Sequence, residues 1–124
     1  MSVVRIKAKC INDQSLDEIF ILVCTIDDNK NLTGLEFFGY LRDYDEDCNG
    51  CYAIYPFILK KCGKDFFLNF GNSHGIPDEK CNINNKTIKT GELFTRTITL
   101  ENESKEFTYK IESIYDMCLN IIID

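Results

Sequence analysis

Between Phe94 and Glu112 apolar and polar side chains alternate with a period of two. Phe94, Ile98 and Leu100 alternate with Thr95, Thr97 and Thr99. After the polar run Glu101-Asn102-Glu103-Ser104-Lys105, the residues Phe107, Tyr109 and Ile111 alternate with Thr108, Lys110 and Glu112. Period two places one row of side chains on a buried face and the next on a wet one, so this segment reads as a β-hairpin. Arg96 falls in the apolar row, where a guanidinium needs a carboxylate or a place near the sheet end.

The same period recurs along the chain, and no segment sustains one near 3.6. Val4, Ile6, Ala8 and Cys10 alternate with Arg5, Lys7 and Lys9 in a first strand. Ile19 to Ile26 is β-branched and apolar on both faces, which reads as a central strand buried on both sides. Ser15 and Glu18 just before it match a capping box, so a helix from Ser15 to Cys24 is the alternative. Leu32 to Leu41 forms a third strand whose Gly34 and Gly39 suggest bulges or close backbone approach. Tyr52 to Lys61 forms a fourth, an edge or bulged strand because Pro56 has no N–H to donate. Lys60, Lys61 and Lys64 suit an edge guarded against further pairing. Phe66 to Phe70 makes a fifth strand. The tail from Met117 to Ile123 suits a last one, preceded by a possible helical turn from Ser113 to Asn120.

A mainly β fold follows: an antiparallel sheet of about seven to eight strands, sandwich or partly open barrel, with at most one or two short helices. An α+β variant stands if either helical segment forms. The 124 residues make a single globular domain, residues 1–124, long enough to fold without metal or disulfide. The N-terminal stretch lacks a secretory pattern and no apolar run reaches membrane-spanning length, so a cytoplasmic protein is expected. The seven cysteines have no scaffold-like spacing, and reduced thiols are the expectation. Fourteen basic against twenty acidic residues leave a net charge of −6, which disfavours nucleic acid and anionic membrane and favours a basic protein partner.

Motifs that fix a reaction are absent. His74 is the sole histidine, and the turn-rich loop 72–81 around it would have to carry any imidazole-dependent chemistry, which makes a small enzyme or ligand-binding domain the second reading. Cys48 and Cys51 have the spacing of half a zinc site, but no second pair matches them, and Asn49-Gly50 between them already accounts for a tight turn. A zinc-stabilised interaction domain is the third reading, and no metal or cofactor is expected.

One stretch remains. Tyr40, Tyr44, Tyr52 and Tyr55 surround the carboxylates Asp43, Asp45, Glu46 and Asp47. Tyrosines anchor interfaces with large, rigid area, and clustered like charges repel unless a cation relieves them. The plainer view is a solvated turn. The leading expectation is a non-enzymatic binding protein: a bacterial immunity protein or antitoxin that neutralises a basic partner, such as a nuclease toxin, by occluding its active site. Tyr40, Asp43, Tyr44, Asp45, Glu46, Asp47 and Tyr52 would form its contact surface.

Overall fold

The computed structural model describes residues 1–12, 17–45, 50–71 and 78–123. In chain order the strands are β1 (Ser2–Cys10), β2 (Ile19–Ile26), β3 (Glu36–Asp45), β4 (Cys51–Cys62) and β5 (Asp65–Asn69). They continue with β6 (Glu79–Cys81), β7 (Leu93–Leu100), β8 (Glu103–Asp116) and β9 (Ile121–Ile123). Each strand pairs antiparallel with the next, and β8 also pairs with β1, so β1 to β8 close into an up-and-down barrel. The short β9 pairs with Ile114 to Asp116, beyond the point where β7 leaves β8 at the Leu93–Lys110 pair.

Closure corrects two expectations. The end of β4 that holds Lys60 and Lys61 is no edge, since these pair with Phe67 and Phe66 of β5, but β5 flanks β4 only from Ile58 to Cys62, so the part that holds Pro56 is an edge as expected. Pro56 is tolerated because β5 reaches only to Ile58, so no β5 ladder calls for its missing N–H. β2 is buried along one face, and on the other only Ile19 is covered. Phe20, Leu22, Cys24 and Ile26 point inward and are covered, while Ile21, Val23 and Thr25 point outward and are half-buried. Their apolarity suits a floor between longer side chains rather than a second sheet.

Among the described residues there is no α-helix, only the 3₁₀ turn Ile83–Asn85. The helix considered from Ser15 gives way to strand from Ile19, and Ser15 lies outside the described residues. The helix considered from Ser113 is strand to Asp116, after which a turn forms. Asp116 Oδ1 accepts the N–H groups of Cys118 and Leu119 at 2.9 Å each, and Asn120 takes a positive φ of 56°.

An eight-stranded barrel is just wide enough for its own side chains to fill. Here Phe20 lies 4.9 Å from Phe94, 5.2 Å from Phe57 and 5.3 Å from Tyr109, between rings, and aliphatic residues from β1, β2, β4, β5 and β8 complete the core. Gly39 lets the walls come this close: a Cβ there would sit 2.0 Å from the carbonyl oxygen of Ile21. Arg5, Lys7 and Lys9 face outward, the reverse of the pattern a barrel facing lipid requires. No described helix is long and apolar enough to cross a membrane.

Candidate binding surface

In an up-and-down meander all odd-numbered strands end at the same rim. The flanks of the acidic segment, Asp45 and Cys51, and the flanks of the 72–77 segment, Gly71 and Asp78, therefore belong to one end of the barrel. Beneath that rim lies a buried polar cluster. Arg96, 5% exposed, donates from Nη1 to Glu79 Oε1 at 2.5 Å, from Nη2 to Glu18 Oε1 at 3.1 Å and from Nε to the Tyr109 hydroxyl at 3.1 Å. The Tyr109 hydroxyl in turn donates to Glu18 Oε2 at 2.9 Å, closing a ring of hydrogen bonds. The carboxylate that Arg96 requires on its apolar face is thus supplied twice. Glu18 enters the barrel instead of capping a helix.

Charge sets how this cluster behaves. Burial raises the Glu18 carboxyl above the ordinary glutamate value, opposed by Arg96 and by the Tyr109 hydrogen bond, and the charge of Asp43 pushes it up further. For Arg96, burial works against the charge, but Tyr109, Glu79 and Glu18 outweigh it and hold the guanidinium protonated. Phe107 stacks on the same guanidinium at 4.5 Å. Each guanidinium nitrogen is engaged and the side chains are covered, so the cluster ties β7 and β8 to the chain around Glu18 and Glu79.

The β3–β4 hairpin overhangs this end, and the pairing of its strands sorts the expected contact residues by face. Tyr40 opposite Pro56, Arg42 opposite Ile54 and Tyr44 opposite Tyr52 share the outer face. Asp43 opposite Ala53, and Tyr55 opposite Leu41, occupy the inner face, where Asp43 acts on Glu18. Of the residues expected to form the surface, the fold therefore brings Tyr40, Tyr44 and Tyr52 together and separates Asp43 from them. Asp45 is the last residue of β3, while Glu46 and Asp47 lie outside the described residues, as do Cys48 and His74. Gly50 has the positive φ, 82°, expected of the turn.

The outer face of the overhang is organised. Tyr44 and Tyr52 meet edge to face at 6.1 Å, each a little over 40% exposed. The Tyr52 hydroxyl donates to Asp17 at 3.2 Å, and the Arg42 guanidinium lies 4.5 Å from the Tyr52 ring centre. Ile54, half exposed, extends the apolar strip. Arg42 and Asp17 escaped the sequence reading because nothing local links them to Tyr52.

The cysteines divide by environment. Cys10, Cys24, Cys62, Cys81 and Cys118 are not disulfide-bonded, as expected. Burial pushes the thiols of Cys24 and Cys81 up to about 12, which makes them inert. Cys51 departs from the reduced expectation: it is disulfide-bonded, a state in which its sulfur has no thiolate to offer a metal. Compared with known protein families, with curated proteins and with solved structures, the chain matches none at a significant level.

Proposed function

We propose that the protein is a small non-enzymatic binding protein that inhibits or sequesters a basic protein partner, in the manner of an immunity protein or antitoxin, through the overhanging β3–β4 hairpin. The observation that carries this reading is the braced Tyr44–Tyr52 pair. Both rings are exposed, yet Arg42 and Asp17 already hold Tyr52 in place, so little side-chain freedom is left to lose on docking. A barrel interior filled with its own side chains directs binding to the outside. The net charge of −6 and the acids at 45, 46 and 47 favour a cationic partner and speed its approach.

Co-purification from the source cell followed by binding kinetics tests the reading. Tyr44→Ala and Tyr52→Ala should each weaken binding roughly tenfold or more, mainly through faster dissociation. Asp45→Lys combined with Asp47→Lys should slow association and flatten its salt dependence. A partner whose binding is indifferent to all four substitutions refutes the assignment.

A further inference from the structure

A cavity of about 290 Å³ opens on the outer wall, spanning β9, β8, β1, β2 and β3. It exists because of what β2 lacks: Ile19 and Ile21 lie low between Arg5 and Lys7 on β1 and Tyr40 and Arg42 on β3. Tyr115 and Ile122 close the far side. In a chain of net charge −6 this lining holds three cations and no carboxylate.

Those cations are unspent. Among the described residues, Arg5, Lys7 and Arg42 form no ion pair, whereas buried Arg96 takes two. Arg42 Nε is buried and has no hydrogen-bond partner, a state that costs stability. Both guanidiniums rest on tyrosine faces, Arg5 at 5.0 Å from the Tyr115 ring centre and Arg42 at 4.5 Å from that of Tyr52. Stacking of this kind orients a guanidinium while leaving its N–H edge free for a bidentate oxyanion. Tyr115 is itself fixed, its hydroxyl donating to Asn120 Oδ1 at 3.0 Å.

We propose that this groove binds a small soluble phosphate monoester with a compact apolar or aromatic body. Arg5, Lys7 and Arg42 would hold the phosphate, and Ile19, Ile21 and the exposed Ile122 would take the body. Three cations match the nearly two negative charges of a phosphomonoester better than the single charge of a carboxylate. The volume lies at the small end of the roughly 300–1,000 Å³ usual for ligand pockets, enough for one ring and its phosphate. A patch of three cations is short of the phosphate contacts, about six to ten, that give polymeric nucleic acid its grip. The site borders the proposed partner surface, sharing Tyr40 and Arg42 with it, but neither Tyr44 nor Tyr52 lines it.

Phenyl phosphate, inorganic phosphate and phenol, each titrated into the ¹⁵N-labelled chain, provide the test. The expected result is saturable binding of phenyl phosphate with shifts centred on β1 to β3, at least tenfold weaker binding of inorganic phosphate, and none of phenol. Arg42→Gln, and separately Arg5→Gln with Lys7→Gln, should each weaken phenyl phosphate roughly tenfold or more while the rest of the spectrum stays that of the folded barrel. Tyr44→Ala should leave it unchanged, so loss of partner binding and loss of this site are told apart. The proposal is overturned by phosphate binding that both charge-removing variants retain, by equal binding of phenol, or by an adventitious ion only, with inorganic phosphate as tight as the ester. Binding confined to phosphatidic-acid vesicles, with no uptake of soluble ester, overturns it as well.

Discussion

Replacing Arg96 by methionine keeps most of the side-chain volume and removes the charge on which two buried carboxylates depend. Three hydrogen bonds disappear, to Glu79, Glu18 and Tyr109, at a position only 5% exposed. Removing one partner of a buried ionic group costs about 3–5 kcal/mol, because the remaining charges stay buried without compensation. At an unfolding entropy of about 2.1 cal/mol/K per residue, this corresponds to a fall in Tm of roughly 12–19 °C for a chain of this length. The pH dependence is more diagnostic. In the native barrel the Glu18 carboxyl is already raised by burial, so the folded state binds more protons than the unfolded one above the ordinary glutamate value. Its stabilising contribution is therefore complete below that value and is lost as pH rises through the raised one. Without Arg96 the Glu18 carboxyl rises further, and stability should fall by up to about 1.4 kcal/mol per pH unit where it must shed its proton. Urea unfolding from pH 4.5 to 8 reads both quantities. The deficit of Arg96→Met should be smallest at the acid end and grow with pH, and adding Glu18→Gln should reduce the slope. A deficit below about 1 kcal/mol at neutral pH, or one independent of pH, would refute the account of the cluster as a coupled charge network.

Two further outcomes follow from the interior. Gly39→Ala should destabilise the barrel by more than about 3 kcal/mol or prevent soluble expression, since its Cβ would meet the Ile21 carbonyl oxygen at 2.0 Å and the Phe57 ring at 2.9 Å; near-native urea unfolding would contradict this. Alkylation of the native protein followed by mass spectrometry should label the exposed Cys62 and Cys118 and spare Cys24 and Cys81, all four reacting after denaturation; early labelling of Cys24 or Cys81 would show that the wall opens locally.

How legible the fold was depends on whether a property is carried by neighbours in sequence. Period two fixes the parity of each strand, so the strand bounds Ile19–Ile26 and the β7–β8 hairpin are readable from side chains alone. Parity even revealed that Arg96 faces inward, in a row of its own hairpin where no neighbouring position holds a carboxylate. The partners themselves were not readable, because Glu18 lies 78 residues and Glu79 17 residues away in sequence. Closure is hidden for the same reason: nothing local in β1 says that its second neighbour is β8. That omission produced the misreading of β2 as covered on both faces and of the Lys60–Lys61 end of β4 as an edge. At the candidate surface, composition put four tyrosines and four acids in one patch, whereas alternation in β3 sends Asp43 inward and Tyr40 and Tyr44 outward. The outer groove shows the limit plainly. Alternation places Arg5 and Lys7 on a wet face, but only the order of strands brings Arg42 around the same floor.

The seam between β1 and β8 has a consequence for how the chain is made. β1 leaves the ribosome before the other strands, yet its second neighbour is the segment from Tyr109 to Asp116, about a hundred residues later. During synthesis the nascent meander carries a growing edge and an unpaired starting edge, both open to strands of other chains. Contacts of such long sequence separation also slow the final step. β8 is therefore the last strand required and the longest, with one half pairing β7 and the other β1, so that a single late element seals the wall. Truncations or stalled products ending before Tyr109 should behave as sticky open sheets, and the hazard ends when the ring closes.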